Sequence, residues 1–283
     1  MIPKTIHYSW FSGDPMPVAI LCFIETWKKV LPDYELVLWD ADRVKEVDNL
    51  FVKEALSERK WAFAADVVRL YAVYHDGGIW LDTDVEVFKS FDQFLDYRMF
   101  IGKETTPYYQ QDGSGRHLLG LTSHCFGAEK GHPFIKRCLD FYQDRHFILS
   151  HDKSLPERLR YDMRLMPDMQ ACIADAEFGY YGSVKDMDQE DILRDDIHVF
   201  PTIYFDIPKY GPLDKAYAVH HVHGAWLPQN YQLKHDRKET YHFNRRLKPC
   251  IIILGMKDCN YFFFTMLNKF MMKRGYFLRV ISF

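Results

Sequence analysis

The 283 residues, 48% hydrophobic and 16% aromatic with a net charge of −3, make a chain too apolar for disorder and long enough for one large or two modest globular domains. A balance this close to neutral excludes a protein that holds nucleic acid mainly by neutralising phosphates, unless its basic residues cluster. They cluster at one end only, where Arg245 to Phe283 carries eight Lys/Arg against the single acid Asp258.

In chain order, Lys4–Tyr8 is a short β-branched stretch before a Ser/Gly/Asp/Pro turn and predicts a first strand. Val18–Val30 places Ile20, Phe23, Ile24 and Trp27 at helical spacing and stops before Pro32; Tyr34–Trp39 then predicts a second strand. Strand, helix, strand opens a βαβ unit and favours a parallel α/β sheet. Trp61–His75 lacks Gly and Pro and runs into Gly77-Gly78, a helix with a glycine stop. Ile79–Leu81 and Val85–Phe88 predict strands on either side of the acidic triplet Asp82-Thr83-Asp84. Beyond Phe91 the signals mix, with helices expected at Pro133–Tyr142 and Met166–Ala176 and strands at Ile197–Phe200 and Ala218–Val222. With no internal repeat or low-complexity linker, the expected organisation is a catalytic domain over 1–228 and a basic, aromatic extension over 229–283.

Six cysteines lie far apart without a C-x-x-C pair, which suits reduced core thiols rather than zinc or a redox dithiol. The amino terminus lacks the basic start and apolar run of a signal peptide, so cytoplasmic residence is expected. No window reaches the roughly 18 apolar residues that span a bilayer.

The chemistry centres on Asp82 and Asp84. In an open α/β sheet, ligands lie at the carboxyl ends of the strands, and alternate strand residues share a face, so both carboxylates can enter one crevice. Hard oxygen ligands suit Mg2+ or Mn2+ holding a substrate diphosphate; a solvated acidic turn is the alternative. Asp66 and Arg69 share one face of the preceding helix, suited either to sugar hydroxyls and a phosphate or to an intrahelical salt bridge. Trp10 closes the first strand, where an indole either stacks on a flat base or packs in the core. Val219 to Trp226 sets His220, His221 and His223 beside a tryptophan, and alternation lets His221 and His223 complete a metal site or serve structure.

The run Ile2-Pro3-Lys4-Thr5-Ile6-His7-Tyr8-Ser9-Trp10, then Thr26-Trp27-Lys28-Lys29, Pro32-Asp33-Tyr34-Glu35 and Leu38-Trp39-Asp40, resembles the start of glycosyltransferase family 32. These are bacterial capsule and lipopolysaccharide sugar transferases with a DXD-containing sugar-binding region, related to yeast initiating mannosyltransferases. Trp61 to Leu70 and Gly77 to Val87 resemble the same family's most specific stretch, and Phe126 to Pro133 and His220 to Trp226 follow in order.

The resemblance, over roughly residues 1–228, implies a GT-A-like α/β fold, a Rossmann-like mixed sheet flanked by helices, to which the basic, aromatic residues 229–283 are expected to add a C-terminal helical appendage. It also implies metal-dependent, retaining transfer of a hexose from a nucleotide sugar to a glycan acceptor in surface polysaccharide synthesis. By similarity to this family and to clostridial glucosylating toxins, Trp10 would stack on the base and Asp66 and Arg69 would hold the donor sugar. Asp82 would serve the ribose and sugar side and the metal's shell, Asp84 would bind Mn2+ or Mg2+ directly, His221 would lie near the metal, and Trp226 would cover the diphosphate. Relatives often place Ser immediately before that tryptophan, where this chain has Ala225. The donor expected is a UDP-hexose, with GDP-mannose and a non-catalytic sugar-binding module as alternatives. A glycoside hydrolase is disfavoured, because its two carboxylates must flank the scissile bond. The basic, aromatic end suits either a packed helix or peripheral attachment to the inner face of the plasma membrane beside a lipid-linked acceptor.

Overall fold

The computed structural model describes residues 1–109, 117–206, 213–221, 250–254 and 277–281. The chain divides into two units, Met1–His221 and Val222–Phe283.

The first unit begins as the sequence predicts. Strand β1 (Thr5–Trp10) is followed by helix α1 (Val18–Val30) and strand β2 (Glu35–Asp40), with β1 and β2 parallel. The four apolar residues of α1 at helical spacing, Ile20, Phe23, Ile24 and Trp27, are its buried ones. The short helix α2 (Leu50–Ser57), capped by the Asn49 side chain, leads into α3 (Trp61–Asp76). Helix α3 stops at Gly77, whose φ of 72° favours glycine; a Cβ there would lie 2.9 Å from the Lys130 nitrogen. Strand β3 (Gly78–Leu81) then returns beside β1, in parallel, and is buried along its whole length.

Strand β4 (Val85–Val87) leaves that sheet and pairs antiparallel with β9 (Ala218–His220). The remaining elements are β5 (Met99–Tyr109), β6 (His117–Ala128), α4 (Pro133–Phe141), α5 (Glu157–Arg160), α6 (Met166–Ile173), β7 (Asp191–Leu193), β8 (Ile197–Phe200) and α7 (Thr202–Phe205). Seven strands form one mixed sheet in the order β2-β1-β3-β6-β5-β8-β7. It is parallel through β2, β1 and β3, while β6 runs antiparallel to both neighbours.

Two apolar clusters cover the sheet, one on each face. Trp80, Ile101, Phe126 and Val199 belong to one, whereas Ile79, Leu81, Phe100, Cys125 and Phe200 belong to the other. The alternation follows from the two-residue period of a strand. Cys125 and Cys138 are the core thiols expected, but Cys22 is exposed.

In the second unit the described residues are two strands, β10 (Cys250–Leu254) and β11 (Phe277–Ile281), paired in parallel. The expected helical appendage otherwise falls outside the described residues, as do 222–228, up to the expected domain boundary. Among the described residues, no helix is long and apolar enough to cross a membrane.

Candidate active site

The chain leaves β1 toward β2 on one side and returns through α3 to β3 on the other. A crevice therefore opens at the carboxyl ends of β1 and β3, the switch point at which open α/β sheets bind ligands. Trp10 closes β1 there, and Asp82 follows the last residue of β3.

Asp82 and Asp84 converge by a different route from the one expected. They do not alternate along a strand. The Val85 N–H donates to the Asp82 carbonyl at 3.0 Å, and the Asp82 N–H donates to the His124 carbonyl at 2.9 Å. The triplet is thus a tight turn between β3 and β4, anchored to β6. Helix α1 fixes the far side of that turn. The buried Trp27 indole donates to the Val85 carbonyl at 2.8 Å, and Thr26 Oγ1 accepts from the Val87 N–H at 3.0 Å.

The buried guanidinium of Arg69 holds three groups together. Its Nη2 lies 3.1 Å from Asp66 Oδ1 and 3.3 Å from Asp82 Oδ1, and its Nη1 donates to the Ser123 carbonyl at 2.6 Å. The intrahelical ion pair therefore forms, and the same cation also orients Asp82. Trp80 shares that task, its indole N–H donating to Asp82 Oδ1 at 2.7 Å. Burial raises the Asp66 carboxyl above its ordinary range; Arg69 opposes the shift and the Asp82 charge adds to it.

The two histidines at the end of β9 part company. His220 Nε2 lies 3.2 Å from Asp84 Oδ1, and ligand atoms of Asp82, Asp84 and His220 all fall within 4.8 Å of one another. His221 instead places Nε2 2.9 Å from Glu86 Oε2 and stacks on Phe23, with ring centroids 4.5 Å apart. The metal-ligand role expected of His221 thus fits its neighbour His220, because antiparallel pairing sets His220 opposite Val85, between Asp84 and Glu86. Burial lowers the proton affinity of His220, but the Asp84 charge and hydrogen bond outweigh it and raise it above the ordinary histidine value.

Two carboxylates and an imidazole are a donor set suited to Mn2+ or Mg2+, with the nitrogen favouring Mn2+. Trp10 is half-buried, and its indole N–H donates to the Asp14 carbonyl at 2.6 Å. Trp226, Ala225 and His223 lie outside the described residues. Sequence reasoning missed Trp80 and Ser123; the spacing Trp80-Leu81-Asp82 was the one available signal, since i and i+2 share a strand face.

The family described as "Glycosyltransferase sugar-binding region containing DXD motif" matches residues 17–101. Inositol phosphoceramide mannosyltransferase 3 of Schizosaccharomyces pombe is 30% identical over 138 residues, 47% of this chain and 35% of the relative. A mannosyl phosphorylinositol ceramide synthase of Saccharomyces cerevisiae is 27% identical over 157 residues, 49% of this chain and 34% of its own. The chain thus spans about a third of the length of these curated relatives. Among solved structures, the PaToxG glycosyltransferase aligns with 66% of this chain and 72% of its own at 19% identity, with a TM-score of 0.41. Residues 17–101, a span that holds Asp66, Arg69 and the Asp82–Asp84 turn, are thus similar to the DXD-containing sugar-binding region of glycosyltransferases.

Proposed function

We propose that the protein is a metal-dependent glycosyltransferase that moves a hexosyl group from a nucleotide sugar to a glycan or lipid-linked acceptor. The observation that carries this reading is the convergence of Asp82, Asp84 and His220 at the switch point of the sheet. A divalent ion held by these three residues would neutralise charge on the diphosphate leaving group. The chain's own residues bind and orient. Trp10 offers an indole face for the base at the end of β1. Asp66, paired with Arg69, offers carboxyl oxygens for donor-sugar hydroxyls, and Arg69 and Trp80 hold Asp82 in place. Retention of anomeric configuration belongs to the same reading. The hydrolase alternative fits poorly, since Asp82 and Asp84 stand on one tight turn and share a donor cluster with His220 instead of flanking a sugar ring from opposite sides.

For the donor, two readings compete. A UDP-hexose in surface polysaccharide synthesis follows from the family resemblance, whereas the two yeast relatives, by name a mannosyltransferase and a mannosyl-lipid synthase, favour a mannosyl donor such as GDP-mannose. Nucleotide release measured across UDP- and GDP-sugars with Mn2+ decides between them, and no release from any donor would defeat both. A cytosolic position beside an anionic membrane, with residues 245–283 as the contact, completes the proposal. Sedimentation with anionic liposomes at low salt, lost at high salt, tests it.

A further inference from the structure

A second polar cluster lies beside the candidate metal ligands, and the mechanism above does not use it. The His124 ring, buried on β6, stacks on His220 with centroids 4.1 Å apart. Its Nε2 lies 2.9 Å from the Phe205 carbonyl, so Nε2 carries the proton and donates. Nδ1 is then an acceptor; it is buried, has no hydrogen-bond partner, and faces Glu104 Oε1 at 3.9 Å. Buried polar atoms in native proteins are nearly always bonded, so an orphan of this kind marks a contact still to be made.

Glu104, on β5, keeps 22% of its side chain exposed. Gly120 of β6 leaves bare backbone beneath it, where an added Cβ would come 3.4 Å from Glu104 Oε2 and 3.2 Å from Pro167 Cβ. Glu104 and the first turn of α6, which carries half-buried Asp168, therefore close over one patch of sheet. Asp206, also nearby, is already engaged, its Oδ2 accepting from the Thr105 N–H at 2.6 Å and the Thr105 hydroxyl at 2.7 Å. Gln170, wholly buried on α6, has neither amide atom bonded.

We propose that Glu104, His124 and Asp168 form a subsite for adjacent hydroxyl groups of a hexopyranose, next to the Asp82–Asp84–His220 triad; this rests on the glycosyltransferase reading. A sugar hydroxyl both donates and accepts, so one can donate to His124 Nδ1 while its neighbour bonds Glu104 or Asp168. Burial and the Asp206 and Asp168 charges raise the Glu104 carboxyl above its ordinary range, against the opposing charges of His220 and Arg69. A second metal is the poorer occupant, because among the described residues only Asp82, Asp84 and His220 bring three ligand atoms together at metal-binding spacing. The hexose is either that of the donor or that of the acceptor, and both present the same chemistry.

The test compares wild type with Glu104→Ala, Glu104→Gln and Asp168→Asn at matched thermal stability. Calorimetry with Mn2+ gives the affinities for the nucleoside diphosphate alone and for the full nucleotide sugar, and turnover gives the acceptor KM. The subsite predicts diphosphate affinity within twofold of wild type in all variants. If the donor sugar occupies it, nucleotide-sugar affinity falls about tenfold in Glu104→Ala and by a smaller factor in Asp168→Asn, whose amide keeps a donor and an acceptor; if the acceptor does, acceptor KM rises by similar factors with donor affinity unchanged. In either case Glu104→Gln, which keeps a donor and an acceptor, recovers part of the loss. Donor affinity and acceptor KM both unchanged, or diphosphate affinity falling in step with them, overturns the subsite while leaving the glycosyltransferase reading intact. A wild-type protein that binds no nucleoside diphosphate with Mn2+ overturns that reading, and the subsite with it.

Discussion

His220 and His221 are adjacent in sequence, meet the two carboxylates that flank Val85, Asp84 and Glu86, and come to different ends. His220 reaches Asp84 with a second aspartate, Asp82, inside the same 4.8 Å cluster. His221 closes on Glu86 and on the Phe23 ring of α1, which ties β9 to the helix that also anchors β4. Proximity to a carboxylate therefore does not distinguish a ligand from a strut. What does is whether three donor atoms share one point. Groups that converge there should govern function, and groups whose bonds close within the protein should govern stability.

The largest effect is expected at the convergent group. Asp84→Ala should lower donor turnover by roughly 10²–10³-fold, about 3–4 kcal/mol of lost electrostatic stabilisation. Its melting temperature should stay near wild type. Steady-state kinetics beside a thermal melt checks both halves, and near wild-type turnover at low Mn2+ breaks the distinction.

Arg69 stands on both sides of the divide, a buried cation bridging Asp66 and Asp82. Arg69→Met leaves two carboxylates without their counterion, and breaking a buried pair from one side costs about 3–5 kcal/mol. Chemical denaturation should show this as a lower midpoint. Asp66→Asn, which removes one charge from the crowded site, should be milder.

Trp10→Ala should raise the donor KM by roughly tenfold with a smaller change in kcat, since base stacking is worth about 1–3 kcal/mol and is present in ground and transition states alike. Collapse of the fold without a separable KM effect would place Trp10 among the struts.

His7 is the purest strut. It is buried between the Trp39 indole, which donates to its Nδ1 at 3.3 Å, and the Gly77 carbonyl, 3.0 Å from Nε2. Burial lowers its proton affinity in the folded state. The unfolded chain, near the ordinary value of about 6.5, then binds more protons, so the stability present above that pH is lost as pH falls toward the depressed folded value. Melting temperature should drop on acidification below pH 6.5, and with a shallower slope in His7→Gln. An unchanged slope would remove His7 from the account.

The division between legible and hidden parts of the molecule follows the range of the interactions that set them. Helix α1 is where its apolar spacing puts it, and α3 ends at the glycine that its backbone requires. Asp66 and Arg69 share a helix face because i and i+3 always do. The two long strands β5 and β6 at the heart of the sheet were obscure. Their sequences mix Gly102, Lys103, Pro107 and His124 with apolar residues, and the partners that satisfy them are distant: buried Lys103 donates to the Asp186 and Gln189 carbonyls, both at 2.7 Å. The choice between His220 and His221 was hidden for the same reason. It is made by pairing with a strand some 135 residues earlier, and a one-residue change of register exchanges the two side chains.

Mn2+ binding to wild type, His220→Ala and His221→Ala, measured by calorimetry or by the loss of the free-ion resonance, tests the central assignment most directly. The account predicts that His220→Ala weakens binding at least tenfold while His221→Ala leaves it within about twofold and lowers the melting temperature instead. Equal Mn2+ affinity in wild type and His220→Ala, or a loss confined to His221→Ala, would contradict it.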